Sequence, residues 1–324
     1  MTSTPARILA VGTALAGALG LAACGAEAPA SEPVPTAAHA AEWPRTVDVE
    51  GASVEISEAP QRVVALSTET GDVALQLGGP DRLVAVSTGS VTEGAGNRID
   101  LAEQVGTVLE TSTSPDPEQI LALEPDLVLM TARHDGEQDA ASLLEGTGVP
   151  TIAFDSAEFQ TLDGIADAVT VLGDALGEED AAARVLADFD ERRAAVEQAA
   201  PSGGDGPSVL LLMARGGQQM IQPQTTLMSH LVEQAGGRVV GAGPGAVPAD
   251  PEQIVAAAPD VILVEDFRGA GLAPFDGLLR SAALAGVPAV ADGDVHLVSG
   301  ATASDTAATA AIDGLEEISG ILNP

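Results

Sequence analysis

The sequence predicts an α/β protein of two similar lobes, with one long helix between them and a ligand cleft where the lobes face each other. Three observations carry this expectation. "DPEQILALEPDLVLM", from Asp116, recurs as "DPEQIVAAAPDVILV", from Asp250, with nine of fifteen positions identical at a separation of 134 residues. Helix and strand patterns alternate around both copies, as parallel α/β units do. Between the copies, Leu162 to Ala200 keeps apolar residues at three- and four-residue intervals, the period of an amphipathic helix.

In chain order, the first residues read as an export signal. Arg7 precedes an apolar run, Ile8 to Leu21, whose 14 residues fall short of the roughly 18 that a bilayer span needs. The run closes on Leu21-Ala22-Ala23-Cys24, which resembles the lipobox of bacterial lipoproteins. That resemblance implies cleavage before Cys24 and a lipid on its thiol. The expected result is a protein held on the extracytoplasmic face of the cell membrane. Cys24 is the only cysteine, so no internal disulfide forms. Residues 24–45 are rich in Ala, Pro and Glu without apolar period, and read as a tether.

The repeated unit explains itself locally. Asp116 and Asp250 stand where an N-cap accepts a free backbone N–H, Pro117 and Pro251 at the first helical position, and Gln119 and Gln253 three after the cap. Pro125 and Pro259 end each helix, and "DLVLM" and "DVILV" suit strands buried on both faces. Upstream of the first copy lie a strand at Arg62–Ser67, a helix at Gly71–Gly79 and a strand at Leu83–Ser87. Upstream of the second lie Ser208–Ala214, Thr225–Gly237 and Arg238–Ala242, in the same order. Downstream, each copy reads as a helix, Gly-Val-Pro and a strand. The expected divisions are a signal peptide at 1–23, a tether at 24–45, a first lobe at 46–160, a connecting helix at 161–201 with a break near Gly173–Gly177, and a second lobe at 202–324.

Composition excludes several classes. Thirteen arginines, no lysine and 48 acidic residues give a net charge of −35. Residues 1–23 hold Arg7 and no carboxylate, so their removal takes this to −36. Nucleic acid is excluded as a partner, because phosphate contacts need clustered basic residues. No phosphate-loop or nucleophile-elbow motif occurs, and no cluster of cysteines exists, so an enzyme is not expected. With four histidines, one in the tether and one in the strand "VHLV", a His-rich site for free Zn²⁺ or Mn²⁺ is not expected either.

Four features together resemble the substrate-binding proteins of ABC importers, in the group with a single helical backbone between lobes. They are "TVDVEGASVEISEAPQRVVALS", "EQVGT" at Glu103–Thr107, the "DPEQILALEPDLVLM" unit and the lipobox. The resemblance covers residues 46–324. It implies two Rossmann-like α/β lobes joined by one long helix, and a monomer that passes a metal chelate to a permease. An iron chelate, a ferric siderophore foremost, is the expected cargo, with haem or cobalamin as alternatives; a lipoprotein that kept the fold without transport is a further reading. The group docks to its permease through one acid on each lobe, and Glu103 matches the first by motif. At the second, after "QAGG", this chain has Arg238.

Ligands of open α/β sheets bind beyond the carboxyl ends of the strands. That rule selects Thr68 and Glu69 after the first strand, Arg133 and His134 after "DLVLM", and Phe159 after "PTIAF". In the second lobe it selects Arg215 and Gln219, then Phe267 and Arg268. The arginines are expected to reverse the sign of a strongly negative protein inside the cleft and to grip an anionic chelate. His134 is a candidate haem ligand with Met220 or His230 opposite, or else a solvated loop histidine. The protein itself is expected to need no metal or cofactor.

Overall fold

The structure, a computed structural model, describes residues 42–49, 51–110, 114–200 and 206–324. The expected signal peptide, Cys24 and residues 24–41 of the tether lie outside them. A hairpin opens the described chain: β1 (Arg45–Val49) pairs antiparallel with β2 (Ala52–Ile56). Trp43, just before the expected lobe boundary, packs on the core and carries the Arg45 guanidinium 4.3 Å over its ring.

The first sheet follows. β3 (Val63–Ala65), α1 (Thr68–Gly78), β4 (Leu83–Ser87), α2 (Ile99–Ala102) and β5 (Val108–Leu109) lead to α3 (Pro117–Leu121) and β6 (Leu127–Thr131). Then come α4 (Asp135–Glu145) and β7 (Thr151–Phe154). The strand order is β5-β4-β3-β6-β7, all parallel. Both faces are covered: Val63, Ala65, Leu127 and Leu129 join one apolar cluster, while Val64, Leu66, Val128 and Met130 join another. This is why "DLVLM" carries no polar alternation.

The connection differs from one continuous helix. α5 (Leu162–Leu176) and α6 (Glu179–Ala199) fold back on each other at Gly177, whose φ of 69° is the left-handed value a helix end favours in glycine. Asp163 at the start of α5 pairs with Arg193 near the end of α6, so the helices run antiparallel. Gly173 permits the close crossing; a Cβ there would stand 2.6 Å from that of Ala182. α6 alone, 21 residues, about 31 Å long, carries the chain from the first sheet to the second.

The second sheet repeats the first. β8 (Ser208–Arg215), β9 (Gln218–Ile221), α7 (Leu227–Gln234), β10 (Arg238–Val240), β11 (Val247–Pro248), α8 (Pro251–Ala257) and β12 (Val261–Asp266) are followed by α9 (Asp276–Leu279), α10 (Pro288–Asp292) and β13 (Val295–Ser299). β10, β8, β12 and β13 lie side by side and parallel, the counterparts of β4, β3, β6 and β7. An addition is β9, which turns back on β8 through Gly216 and Gly217, both at positive φ, and carries β11 on its outer edge. Gly286-Val287-Pro288 departs from the expected direct run into a strand. Pro288 starts the short α10, and left-handed Gly293 ends it before β13.

Finally α11 (Gly300–Ala303) and a tight turn lead into α12 (Ala311–Leu322), which packs on α7 and α6. Val209, Leu211, Val261 and Leu263 belong to the same apolar cluster as Val63, Leu127 and Leu129. The two sheets therefore share one core through α1, α5, α6, α7 and α12. Among the described residues, no helix is long and apolar enough to cross a membrane.

Candidate functional site

The carboxyl ends of the central strands hold one ion pair in each lobe. Ser67 caps α1, and the Thr131 N–H at the end of β6 donates to its Oγ at 2.7 Å. This draws the start of α1 against β6 and sets Glu69, in the first helical turn, beside the strand end. A helix N-terminus favours a carboxylate there. Glu69 accepts from the Thr131 hydroxyl and from the Arg133 guanidinium. Burial by itself would lower the Arg133 pKa, but the Glu69 carboxylate more than reverses this and holds the guanidinium charged.

In the second lobe Arg215 ends β8 and donates to Glu265, near the end of β12, at 2.5 Å. Gln222 donates to the other Glu265 oxygen at 3.0 Å. Burial pushes the Glu265 carboxyl up, opposed by Arg215. The Arg215 guanidinium lies 3.8 Å over the Phe267 ring, and that of Arg268 lies 4.9 Å from it, so the phenyl group is fixed by two cations. The two lobes thus exchange signs. The first places its acid after β3 and its base after β6; the second places its base on β8 and its acid on β12.

A loop from the carboxyl-terminal region forms the floor. Asp305 Oδ1 accepts from the Leu227 N–H at 2.8 Å, its Oδ2 accepts from Gln160 at 3.3 Å, and its carbonyl accepts from Arg133 at 3.4 Å. Burial raises its carboxyl pKa, against the pull of the Leu227 N–H and Arg133. Together these groups enclose a cavity of about 270 Å³, in which Arg133 from the first lobe meets Arg215, Glu265 and Phe267 from the second over residues 303–306. Met213 and Ala303 add apolar surface, and Gln222, Thr226, Ser304 and Thr306 add neutral polar groups.

Of the nine residues expected at the cleft, Arg133, Arg215 and Phe267 line this cavity, and Arg268 stands beside Phe267 at its edge. The others are placed otherwise. Glu69 lies behind Arg133 with no exposed surface. Phe159 is buried edge-on against Phe154, with ring centroids 5.5 Å apart, because the turn after β7 folds it into the core. Gln219 points away on β9, where it donates to the Pro274 carbonyl and lines a separate hollow with Val247 to Asp250. His134 caps α4 in solvent, with Nδ1 3.0 Å from Glu137 Oε2. Thr68 is nearly buried, its hydroxyl 3.4 Å from that of Ser87. Glu103 is exposed just after α2, and Arg238 is exposed at the start of β10.

The expected sign reversal also needs correction, since Arg133 and Arg215 are each neutralised by a buried glutamate. Sequence reading missed Glu265, Asp305 and Gln222. "VED" closing an apolar strand was a signal for Glu265. For Asp305, the same strand-end rule extended to the loop after "VHLV" would have reached it. Among the described residues, no three His, Cys, Asp or Glu are placed to hold a metal ion.

Two largely parallel sheets that share a core and present their strand ends to one cavity define a two-lobed binding protein. The chain belongs to the periplasmic binding protein family, which it matches over residues 63–300. It is similar to a cobalamin-binding protein of Halobacterium salinarum, 27% identical over 250 residues that make up 74% of this chain and 64% of that protein. The chain thus spans somewhat less than two thirds of that relative's length. It is also similar to the ferric enterobactin-binding periplasmic protein FepB of Escherichia coli O6:H1, 28% identical over 50% of this chain and 51% of that one. Among solved structures, a periplasmic heme-binding protein from Pseudomonas aeruginosa superposes with a TM-score of 0.66 at 25% identity, over 82% of this chain and 93% of that chain. Members of the family are binding proteins of ABC importers, not enzymes.

Proposed function

We propose that this protein is the lipid-anchored, extracytoplasmic receptor of an ABC importer and that it captures a compact iron chelate, a ferric siderophore, between its lobes. The observation that carries this reading is the cavity at the strand ends, built jointly from Arg133 on one side and Arg215 and Phe267 on the other. Sites of this kind sit at domain interfaces and combine apolar walls with a few convergent polar groups. An intact chelate already fills the coordination sphere of its iron, so the protein needs only to grip the outside. Cys24 would bear the lipid, and Glu103, exposed on the first lobe, would meet the permease.

Haem and cobalamin form the second reading, favoured by what the named relatives bind. The volume of about 270 Å³ lies just below the roughly 300–1,000 Å³ of most ligand pockets. A ferric siderophore, a porphyrin or a corrin would each require the lobes to part from this volume. His134, on an exposed helix cap outside the cavity, offers no axial ligand there.

Native mass spectrometry and thermal unfolding with a panel of ferric siderophores, haemin and cyanocobalamin test the proposal. A ligand at 100 times its Kd adds about 2.7 kcal/mol to the folded state. A stable one-to-one complex with a ferric siderophore is expected. Absence of any complex across the panel defeats it.

A further inference from the structure

The cavity is lined by two guanidinium groups, of Arg133 and Arg215, and two carboxylates, of Glu265 and Asp305, with buried Glu69 behind Arg133 and Arg268 outside the lining beside Phe267. Its formal charge is therefore zero. The pairing is not loose surface chemistry. The Glu69 side chain is 0% exposed and that of Glu265 is 4% exposed. Thr131 holds the first and Gln222 the second, so neither can swing into water to release its arginine. An anionic ligand entering here would meet two lining guanidinium groups already paired with buried glutamates, and would approach Glu265 and Asp305 at contact range. Like charges brought together in a desolvated site cost several kcal/mol. The net charge of −35 adds repulsion at longer range.

The same groups suit a ligand of another kind. Arg133 spends one terminal nitrogen on Glu69, and Arg215 spends its two on Glu265 and the Ala214 carbonyl. The remaining N–H donors are free for carbonyl-type oxygens, which accept hydrogen bonds without bringing charge. Ser304 and Thr306 add hydroxyls, and Phe267 gives a flat apolar wall. We infer that the cargo is a chelate without net negative charge that presents amide or hydroxamate oxygens, such as a neutral ferric trishydroxamate, and not a tricatecholate or a propionate-bearing porphyrin. This inference rests on the chelate-binding function proposed above.

The test is calorimetric titration of the full-length chain in detergent with ferrichrome, a neutral trishydroxamate, ferric enterobactin, a multiply anionic tricatecholate, and haemin. Ferrichrome is expected to bind at least about 100-fold more tightly than either anion, the scale of a few kcal/mol of like-charge opposition. Its Kd is expected to stay within about twofold between low and high salt, since no net charge is screened. Glu265→Gln leaves the shape of the site and frees Arg215, and should narrow the preference by about tenfold or more. Equal or tighter binding of enterobactin or haemin overturns the inference while the chelate-binding function stands. A preference unchanged in folded Glu265→Gln also overturns it. The salt titration, on the unaltered chain, decides the matter should that variant not fold, a strong salt dependence for ferrichrome counting against. Binding of none of the three removes the chelate-binding function and the inference with it.

Discussion

The side-chain amide of Asn97, in the first lobe, donates to the carbonyl of Ala301, in the second, at 2.8 Å, while the Asn97 backbone N–H donates to the Asp72 carboxylate of α1 at 2.6 Å. A carboxylate thus stands directly behind a link between the lobes. Asp72 is buried, and one of its oxygens has no hydrogen-bond partner. Burial pushes its pKa up to about 7; the Asn97 N–H and Arg98 pull against this, and Glu69 adds to it. In the unfolded chain the value is 3.8. The folded state therefore binds the proton more tightly, and the stability that Asp72 contributes is full below about pH 4 and lost as pH rises through about 7. Each tenfold gain in proton affinity is worth about 1.4 kcal/mol, so the loss is on the order of a few kcal/mol. Asp72→Asn should flatten the stability curve between these pH values and stabilise the protein above neutrality. Urea unfolding at pH 4.5 and pH 8 measures this; a mutant offset that is the same at both values would refute it.

Gly94 sits at a φ of 72° with its missing Cβ directed at the Cα of Arg268, 3.0 Å away across the cleft rim. Gly94→Ala should cost about 1–3 kcal/mol from backbone strain, and more from forcing the rim apart. Gly148→Ala separates the two causes, since Gly148 has a φ of 83° but nothing within 4 Å of the added carbon. Thermal unfolding of both variants should show the larger loss at Gly94. Equal losses would mean that strain alone acts.

Phe159→Ala should remove about 3–5 kcal/mol of stability by opening a core cavity against Phe154. Affinity for the proposed chelate, measured on the molecules that remain folded, should change less than about twofold, because the ring has no exposed surface. Lost affinity with unaltered stability would return Phe159 to the binding site.

Arg192 joins α6 to α12 through Asp313 and Glu316, both at 2.5 Å. The carboxylates are about half exposed, so the pairs are screened, and Arg192→Ala should cost only about 1 kcal/mol. The cost should shrink in molar salt. Denaturant midpoints at low and high salt check this; a loss that salt does not reduce would point to packing by the arginine stem instead.

The repeated unit was legible because its causes are local. Asp116 accepts from the Glu118 N–H as its position suggests, although Asp250 makes no such side-chain bond. Both helices leave through a left-handed residue just before proline, Glu124 and Ala258, so even an irregular feature is duplicated. The strand-end rule located Arg133, Arg215 and Phe267 by the same local logic. The helical hairpin was half legible. Gly177 marked the break, but whether two helices continue or fold back depends on what their apolar faces meet.

Apolar runs, caps and turn residues determined by themselves that this chain has two α/β lobes, which strands are buried, and which arginines end them, because each of these follows from interactions among near neighbours. Only the tertiary structure decided which acid stands behind which arginine. Glu69 and Arg133 are 64 residues apart, and Arg215 and Glu265 are 50 apart. With 48 acidic residues to choose from, no spacing rule selects the pair. The charge that Arg133 and Arg215 present in the cleft therefore depends on carboxylates that only folding brings beside them.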